Sequence, residues 1–184
     1  MEKEDSKDNK TLKDFFKKIK KNPEIAEKLC NLQKIILPLY SYRKGTKKIH
    51  KKSGLNQGRA NGRPRNFNEV YIPFNINERN MFLNFFPNHE TCFKAILPGQ
   101  NIMIMKLCQQ NSKALMSNPN KDLGKWILRD VLEISDEKIV TYDDLCKADI
   151  DSISFEKIDN NSYKINFEKV GSYELFLNDL ISKY

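Results

Sequence analysis

The sequence has few of the residues from which metal centres are built. It contains only two histidines and four cysteines, and the cysteines (Cys30, Cys92, Cys108 and Cys146) lie far apart with no C-x-x-C pair. A zinc site is therefore not expected, and reduced, mostly buried thiols are the better interpretation. We predict that the chain needs no metal or other cofactor and binds no small-molecule ligand.

The sequence contains only parts of the motifs of known nucleases. His50 and Lys52 start the H-x-K pattern of phospholipase-D-type enzymes, but Gln57 stands where that pattern requires an aspartate. The Asp-x-Lys pairs at Asp5 and Asp8 fall in a charged stretch over residues 1–10 that we expect to be disordered, and such a stretch cannot hold Mg²⁺ rigidly. The sequence thus predicts that the chain is not an enzyme by itself.

Long hydrophobic runs are also missing. The longest apolar run without a charge, Ile35 to Tyr42, is far too short to cross a bilayer. The N-terminus is polar and lacks the apolar centre of a signal peptide, so the default expectation is a cytoplasmic protein without a membrane partner. A length of 184 residues suits one domain with a smaller appendage.

Acidic residues are absent from one long window of the chain. Residues 28–68 carry eleven Lys and Arg and no Asp or Glu, whereas the net charge of the whole chain is +8. Residues 130–184 carry thirteen acids against six bases. A charge needed only for solubility would be mixed throughout, so the segregated block indicates a surface that faces a polyanion. Nucleic acid is the leading partner, and an anionic membrane surface is the second.

The most unusual stretch within this block runs from Ser53 to Phe74. It begins as a loop rich in Gly, Asn and Arg and ends as a predicted short strand, Val70 to Ile72, closed by Pro73. Arginine forks and side-chain amides are the groups that pair with phosphates and base edges. No carboxylate interrupts the stretch before Glu69. A mobile, solvated surface loop is the alternative interpretation.

The N-terminal pattern predicts two helices. Thr11 with Asp14 resembles a capping box, and Asn22 followed by Pro23 predicts the start of a second helix. This helix is expected to end at Pro38, or earlier if Ile35 already begins a strand. We assign residues 1–35 to a charged tail with a helical appendage.

The remaining chain, residues 36–184, reads mainly as short strands with short helices. Strands are predicted at 36–42, 93–97, 102–108, 113–117, 152–158 and 163–167, and helices at 75–86, after Asp122, around Leu145 and at 173–180. Both faces of the strand over 102–108 are apolar, which predicts a central, well-covered strand. The fold class is therefore mainly β (α+β), a small barrel or pseudobarrel with short helices.

A second segment, Lys113 to Lys121, repeats the chemistry of the first loop. Small, amide and lysine residues lead into the start of a helix, where backbone N–H groups suit phosphate. Taken alone, this pattern is that of a proline-containing turn with solvated lysines. Two such segments on one strand-rich scaffold favour a binding surface.

Several strings in the sequence resemble one protein family. Residues 36–177 resemble the C-terminal recognition domain of NgoFVII-type restriction endonucleases. The strings that carry the resemblance are SGLNQGR with GR and NEVYIP, then FFP at 85–87, KALMSNPNKDLGKWILRDVL and VTYDDL. That domain belongs to the DNA-binding pseudobarrel shared with BfiI, the EcoRII N-terminal domain and plant B-three domains. The resemblance implies two arms that enter the major groove of double-stranded DNA, here Ser53 to Arg65 (the N-arm) and Lys113 to Lys121 (the C-arm). It also implies a phospholipase-D-like nuclease domain for cleavage, which this sequence does not contain.

The resemblance and the side-chain chemistry together assign roles in the two arms. We predict guanine contacts for Arg59 and Arg63, adenine contacts for Asn56 and Gln57, and contact of Leu55 with a thymine methyl. In the C-arm, Ser117, Asn118 and Asn120 are the predicted base readers. The predicted phosphate contacts are Lys51, Lys52, Arg65, Lys113 and Lys121. Ser53 and Asn61 complete the predicted DNA-binding set.

Two other functions stay open from sequence. One is a non-specific DNA- or RNA-binding module that uses the basic block alone, for which a steep salt dependence is expected. The other is a protein-interaction subunit whose N-terminal helices dock a separate nuclease or translocase subunit. This docking role is compatible with DNA binding.

Overall fold

The computed structural model describes residues 14–43 and 45–184. The predicted disorder of residues 1–10 and the predicted capping role of Thr11 lie outside the described residues.

The described chain contains nine strands in two sheets. They are β1 (Lys34–Pro38), β2 (Ser41–Arg43), β3 (Thr46–Lys48), β4 (Ile72–Pro73), β5 (Cys92–Ile96), β6 (Ile102–Cys108), β7 (Ala114–Ser117), β8 (Ser152–Asp159) and β9 (Ser162–Glu168). The large sheet has the order β1-β8-β9-β5-β6-β7-β4, and β2 and β3 form a separate hairpin. Neighbouring strands are antiparallel except for β5 and β9, which are parallel. The two edge strands, β1 and β4, contact each other, so the sheet nearly closes. The predicted pseudobarrel is confirmed.

Short helices surround this sheet. They are α1 (residues 14–21), α2 (Pro23–Cys30), α3 (Ile76–Met81), α4 (Asp122–Gly124, continued as a π-helix over Lys125–Val131), α5 (Tyr142–Lys147) and α6 (Ser172–Lys183). The Asn22 side chain accepts from the N–H groups of Glu24 and Ile25, which confirms its predicted capping role. Thr141 and Asp144 form the predicted capping box at the start of α5.

Aromatic side chains fill the centre of the barrel. The Phe86 ring stacks on Phe93 at 5.5 Å and meets Phe155 edge-on at 5.0 Å. The Tyr163 hydroxyl, fully buried, donates to the Phe85 carbonyl at 2.6 Å, so its polar atom is satisfied inside the core. This rigid centre is the support on which the surface loops described below are built.

The N-terminal helices share that core. Phe15 and Ile19 of α1 and Ile25 and Leu29 of α2 are at most 6% exposed and belong to the same hydrophobic cluster as the barrel strands. Burial of a large apolar side chain contributes about 1.5–3 kcal/mol, so these contacts attach the helices firmly. The boundary at residue 35 between appendage and barrel stays a prediction.

Three predicted elements are shorter in the structure. Helix α2 ends at Cys30 and β1 begins at Lys34, so the earlier of the two predicted helix ends is right. Helix α3 stops at Met81 instead of Phe86, and the predicted strand from Val70 contains only Ile72–Pro73. Residues 35–40 are buried without a break, so their apolar pattern could not distinguish helix from strand.

The predicted covering of β6 on both faces is wrong. The strand is central in the sheet order, but Ile102 is 60% and Ile104 is 36% exposed, while Met103 and Met105 on the other face are buried. One face of β6 is therefore open to solvent in spite of its apolar side chains.

Candidate nucleic-acid interface

The first turn of the N-arm is a 3₁₀-helix over Gly54–Arg59 whose inner side is buried. Leu55 is 1% exposed and packs into the core, and Asn56 is 3% exposed. The Asn56 amide donates to the carbonyls of His50 and Val140 and accepts from the Val140 N–H, each at 2.9 Å. In this structure neither side chain is presented to a ligand, so the geometry does not favour the predicted thymine contact of Leu55 or the predicted adenine contact of Asn56.

Two glycines allow the N-arm to pack tightly against the body. A Cβ atom on Gly58 would lie 2.5 Å from the Asn66 carbonyl oxygen, and one on Gly124 would lie 2.0 Å from that of Asn68. These distances are too short for any side chain, so only glycine permits the approach. The Asn68 side chain also accepts from Arg129 Nε at 2.7 Å, which connects the segment directly after the N-arm to the π-helix. The N-arm is therefore a supported loop.

Arg59 is already engaged within the protein. Its guanidinium lies 5.0 Å from the centre of the Phe67 ring, and Nη2 donates to the Asp136 carbonyl at 2.6 Å. A guanine contact by Arg59 would have to compete with these contacts. The geometry favours a role in joining the arm to the loop over residues 132–140.

Arg63, in contrast, is held in place with part of its guanidinium free. The side chain is 52% exposed, and its Nη1 and Nη2 donate to the two carboxylate oxygens of Glu69 at 3.1 and 2.6 Å. Nη1 also donates to the Pro64 carbonyl at 3.0 Å. Among the described residues no acceptor bonds Arg63 Nε, so Nε and the outer N–H of Nη2 remain. These two donors lie side by side and form the fork that fits a guanine edge.

Glu69 is the carboxylate that organises this part of the arm. It is 8% exposed, accepts from the Asn66 N–H at 3.3 Å, and has Arg65 Nη1 at 3.6 Å. The hydrogen bonds from Arg63 lower the pKa of Glu69 against the opposing effect of burial. The Arg65 side chain is only 17% exposed, so its predicted role as a phosphate contact is restricted by this ion pair.

Other predicted N-arm residues lie nearer to solvent. Lys51, Lys52 and Asn61 are exposed, and Lys52 Nζ donates to Asn61 Oδ1 at 2.9 Å. Ser53 and Gln57 are half-buried. These five side chains stay available as predicted contacts.

The predicted C-arm is divided by strand β7. Lys113 precedes the strand and is exposed, whereas Asn118, Asn120 and Lys121 follow it and are also exposed. Five steps of extended chain span about 17 Å, so the two ends of this segment face different parts of the surface. The C-arm is therefore two separate groups of side chains instead of one continuous loop.

Ser117, the last residue of β7, has a structural role. It is fully buried, its hydroxyl donates to the Pro119 carbonyl at 2.8 Å, and it accepts from the Leu123 N–H at 2.8 Å. The hydroxyl thus accepts from a backbone N–H in the first turn of α4, which has no partner within the helix. Because the side chain is buried and both hydrogen bonds are internal, the geometry does not favour its predicted role as a base reader.

A polar turn between β6 and β7 was not singled out from the sequence. Gln109, Asn111 and Ser112 have φ values of 65°, 59° and 55°, and the Asn111 carbonyl accepts from Arg79. Strained backbone of this kind gathers at functional sites. The signal in the sequence is the run of amide and hydroxyl residues QQNS directly before Lys113.

The β2–β3 hairpin presents one lysine inward and the next outward. Lys47 Nζ lies 3.1 Å from Asp151 Oδ2, 3.0 Å from Glu174 Oε2, and 4.6 Å from the centre of the Tyr40 ring. Burial and the hydrogen bond to Glu174 raise the pKa of Tyr40, so its hydroxyl stays a donor. Lys48 is exposed, and no described carboxylate lies within 4 Å of its ammonium.

Neither a metal centre nor a membrane-spanning helix is found among the residues that the structure describes. In residues 14–43 and 45–184, no group of three or more His, Cys, Asp or Glu side chains is placed to hold a metal ion. Over the same ranges, no helix has the length and apolar character needed to span a membrane.

Comparisons with known proteins identify the family. A search of curated protein sequences gave no match. A sequence model of the NgoFVII C-terminal B3-like DNA-binding domain matches residues 32–159, more than two thirds of the chain, from before β1 to the end of β8. This range includes both arms and the polar turn. The chain therefore belongs to the family of NgoFVII C-terminal B3-like DNA-binding domains, which are DNA-binding domains of restriction endonucleases.

Proposed function

We propose that this DNA-binding domain recognises a short sequence in double-stranded DNA, with the N-arm and the exposed parts of the C-arm entering the major groove. The observation that carries the proposal is the geometry at Arg63. Glu69 fixes the guanidinium by its two terminal nitrogens, and the remaining Nε and Nη2 donors form a bidentate edge. An arginine held in advance loses little side-chain entropy on binding, which favours discrimination between bases.

The division between arginines and lysines supports the same function. Lys51 and Lys121 are exposed, and no described carboxylate lies within 4 Å of either ammonium. Such point charges suit phosphates, which set position and affinity without reading sequence. Asn118 and Asn120 are exposed amides that precede Lys121 in the chain, and we propose that they read bases.

Selection of bound duplexes from a random pool at about physiological salt tests this proposal. We expect the unaltered protein to enrich a motif of a few base pairs. Arg63→Ala should relax one G·C position by about 1–3 kcal/mol, and Arg63→Lys should do the same while keeping the charge. Glu69→Gln should weaken the same position only in part, because the guanidinium remains but is no longer held.

Two outcomes would contradict specific recognition. One is that Arg63→Ala and Asn118→Ala both leave the enriched motif unchanged. The other is a flat pool together with binding that disappears on adding salt, which would indicate the non-specific nucleic-acid module instead.

We also propose that this chain does not cleave DNA and that a nuclease domain or subunit acts with it. The support is the restriction-endonuclease origin of the family together with the incomplete H-x-K motif at His50. Purified protein incubated with the selected duplex and Mg²⁺ should leave it intact. Cleavage that persists through further purification would contradict this.

Docking of that nuclease by the N-terminal helices stays a separate proposal. Deleting the helices is a poor test, because Phe15, Ile19, Ile25 and Leu29 are buried in the core of the barrel. Reversing the charge of two exposed residues of α2, Glu24→Lys with Glu27→Lys, leaves the core intact. If α2 docks a partner nuclease, this variant should lose the partner and keep its affinity for DNA.

A further inference from the structure

A cleft of about 180 Å³ lies where the β2–β3 hairpin, the start of the N-arm and the beginning of β7 meet. Its polar lining residues are Ser41, Lys48, His50, Ser53, Asn75 and Lys113. Leu39 and Tyr40, each 2% exposed, also line it, so the cleft borders the core. No Asp or Glu is among the described lining residues.

The two lysines of this cleft come from distant parts of the sequence and have no acidic partner. Lys48 ends β3 and Lys113 precedes β7, and no described carboxylate lies within 4 Å of either ammonium. Both side chains are exposed and border the same cleft, so an anion bound there would meet two cations that no carboxylate neutralises. Lys47, next to Lys48 in the hairpin, is in contrast paired internally with Asp151 and Glu174.

The walls of the cleft are held rigidly. Lys47 anchors the hairpin, the Tyr71 N–H donates to the Gly54 carbonyl at 3.3 Å, and the Phe74 N–H donates to the Lys113 carbonyl at 2.9 Å. These bonds fix the start of the N-arm and the start of β7 on one support. The volume corresponds to about six waters, enough for one phosphate group with its bridging waters.

We infer that this cleft binds one phosphate group, with Lys48 and Lys113 as its cationic ligands and Ser53 as a hydroxyl donor. This site differs from the two predicted arms, because it combines residues of both arms with Lys48, which lies outside them. The phosphate belongs either to the backbone of the bound duplex or to a small phosphate compound. The inference rests on the proposed function only for the first of these sources.

The salt dependence of DNA binding tests the site. The double variant Lys48→Gln with Lys113→Gln is compared with Lys20→Gln with Lys21→Gln, which removes the same charge from exposed lysines of α1 outside the cleft. If both cleft lysines share one phosphate, the slope of log K against log salt should fall by about 1. The control should leave the slope unchanged. A fall of about 2 would mean separate phosphates and would overturn a shared site.

A neutral backbone probe locates the phosphate. Methylphosphonate is introduced at one backbone position of the duplex at a time, and affinity is measured for the unaltered protein and the cleft variant. We expect one position to weaken the unaltered protein several-fold and to have no effect on the variant. If the random-pool selection finds no preferred motif, the same titrations on an arbitrary duplex still test the cleft, so the two proposals can fail separately.

A titration with inorganic phosphate tests whether the cleft binds a small phosphate compound instead of the DNA backbone. Amide NMR signals of Ser53 and Gly54 are followed as phosphate is added to the DNA-free protein and to the cleft variant. Shifts that the variant lacks, together with an unchanged slope for DNA, would assign the cleft to a small phosphate compound. An unchanged slope without such shifts would overturn the inference.

Discussion

Asn56 and Gln57 are neighbouring amides. The sequence predicts an adenine contact for both, but their side chains differ in burial and in hydrogen bonding. Asn56 makes three hydrogen bonds to His50 and Val140 and is 3% exposed, whereas the half-buried Gln57 side chain has no such bond in the described structure. Replacing Asn56 by Ala removes all three bonds and leaves two carbonyls and one N–H without their partner. Replacing Gln57 by Ala removes none.

The expected cost of Asn56→Ala follows from these contacts. Each lost bond contributes about 0.5–1.5 kcal/mol, and each buried group left unsatisfied costs about 1–3 kcal/mol. Because the groups relax toward water when the loop loosens, we expect a total loss of about 3–5 kcal/mol. That is a large share of the roughly 5–15 kcal/mol that stabilises a domain.

Urea unfolding followed by circular dichroism measures this loss, with Gln57→Ala as the matched control. We expect the control to stay within about 0.5 kcal/mol of the unaltered protein. Sequence preference is then measured at a temperature at which both variants are folded. If Asn56→Ala kept the stability of the control and lost one recognised base pair, Asn56 would be a reader and the reasoning from its burial would be refuted.

Three further changes test the support of the arm and the core. Gly124→Ala normally favours a helix by up to about 1 kcal/mol, but the clash with the Asn68 carbonyl should make it destabilising by about 1–3 kcal/mol in thermal unfolding. Burial raises the pKa of Asp144, but hydrogen bonds from Lys138 and Thr141 outweigh it and hold the pKa at about 2, below the ordinary 3.8. This stabilisation is present above pH 3.8 and is lost as the pH falls through 2, so Asp144→Asn should cost about 1–2 kcal/mol at pH 7 and little at pH 2. Leu29→Ala should cost about 2–5 kcal/mol in urea unfolding while leaving the recognised motif unchanged.

Local rules predicted the parts of the fold that depend on neighbours in sequence. The cap at Asn22 and the capping box at Thr141 and Asp144 require only residues two or three positions apart, and both are present. The hairpin of β8 and β9 follows from alternating apolar residues on either side of a polar turn. Each of these features depends on contacts between residues that are close in sequence.

The sequence predictions and the structure differ at positions whose surroundings come from far along the chain. Asn56 is buried by Val140, 84 residues away, and no local pattern distinguishes an amide that faces DNA from one that satisfies a distant backbone. At β6 the difference is reversed, because apolar side chains are exposed where Asn56 is a buried polar one. The sequence predicted that Ile102 and Ile104 are covered, and in the described fold they are open to solvent. Burial is a property of the completed fold, and it decided both cases.

The charge of the basic block is likewise changed by folding. Residues 28–68 contain eleven basic residues, and the structure places four of them within 4 Å of a carboxylate: Lys34, Lys47, Arg63 and Arg65. Three of the carboxylate partners, Asp151, Glu168 and Glu174, come from the acidic C-terminal part. An ion-paired cation releases fewer counterions on meeting a phosphate than a free one, so the salt dependence should reflect fewer charges than the sequence contains. The arginines of the N-arm therefore contribute mainly fixed geometry, and the lysines without acidic partners contribute most of the attraction to the DNA backbone.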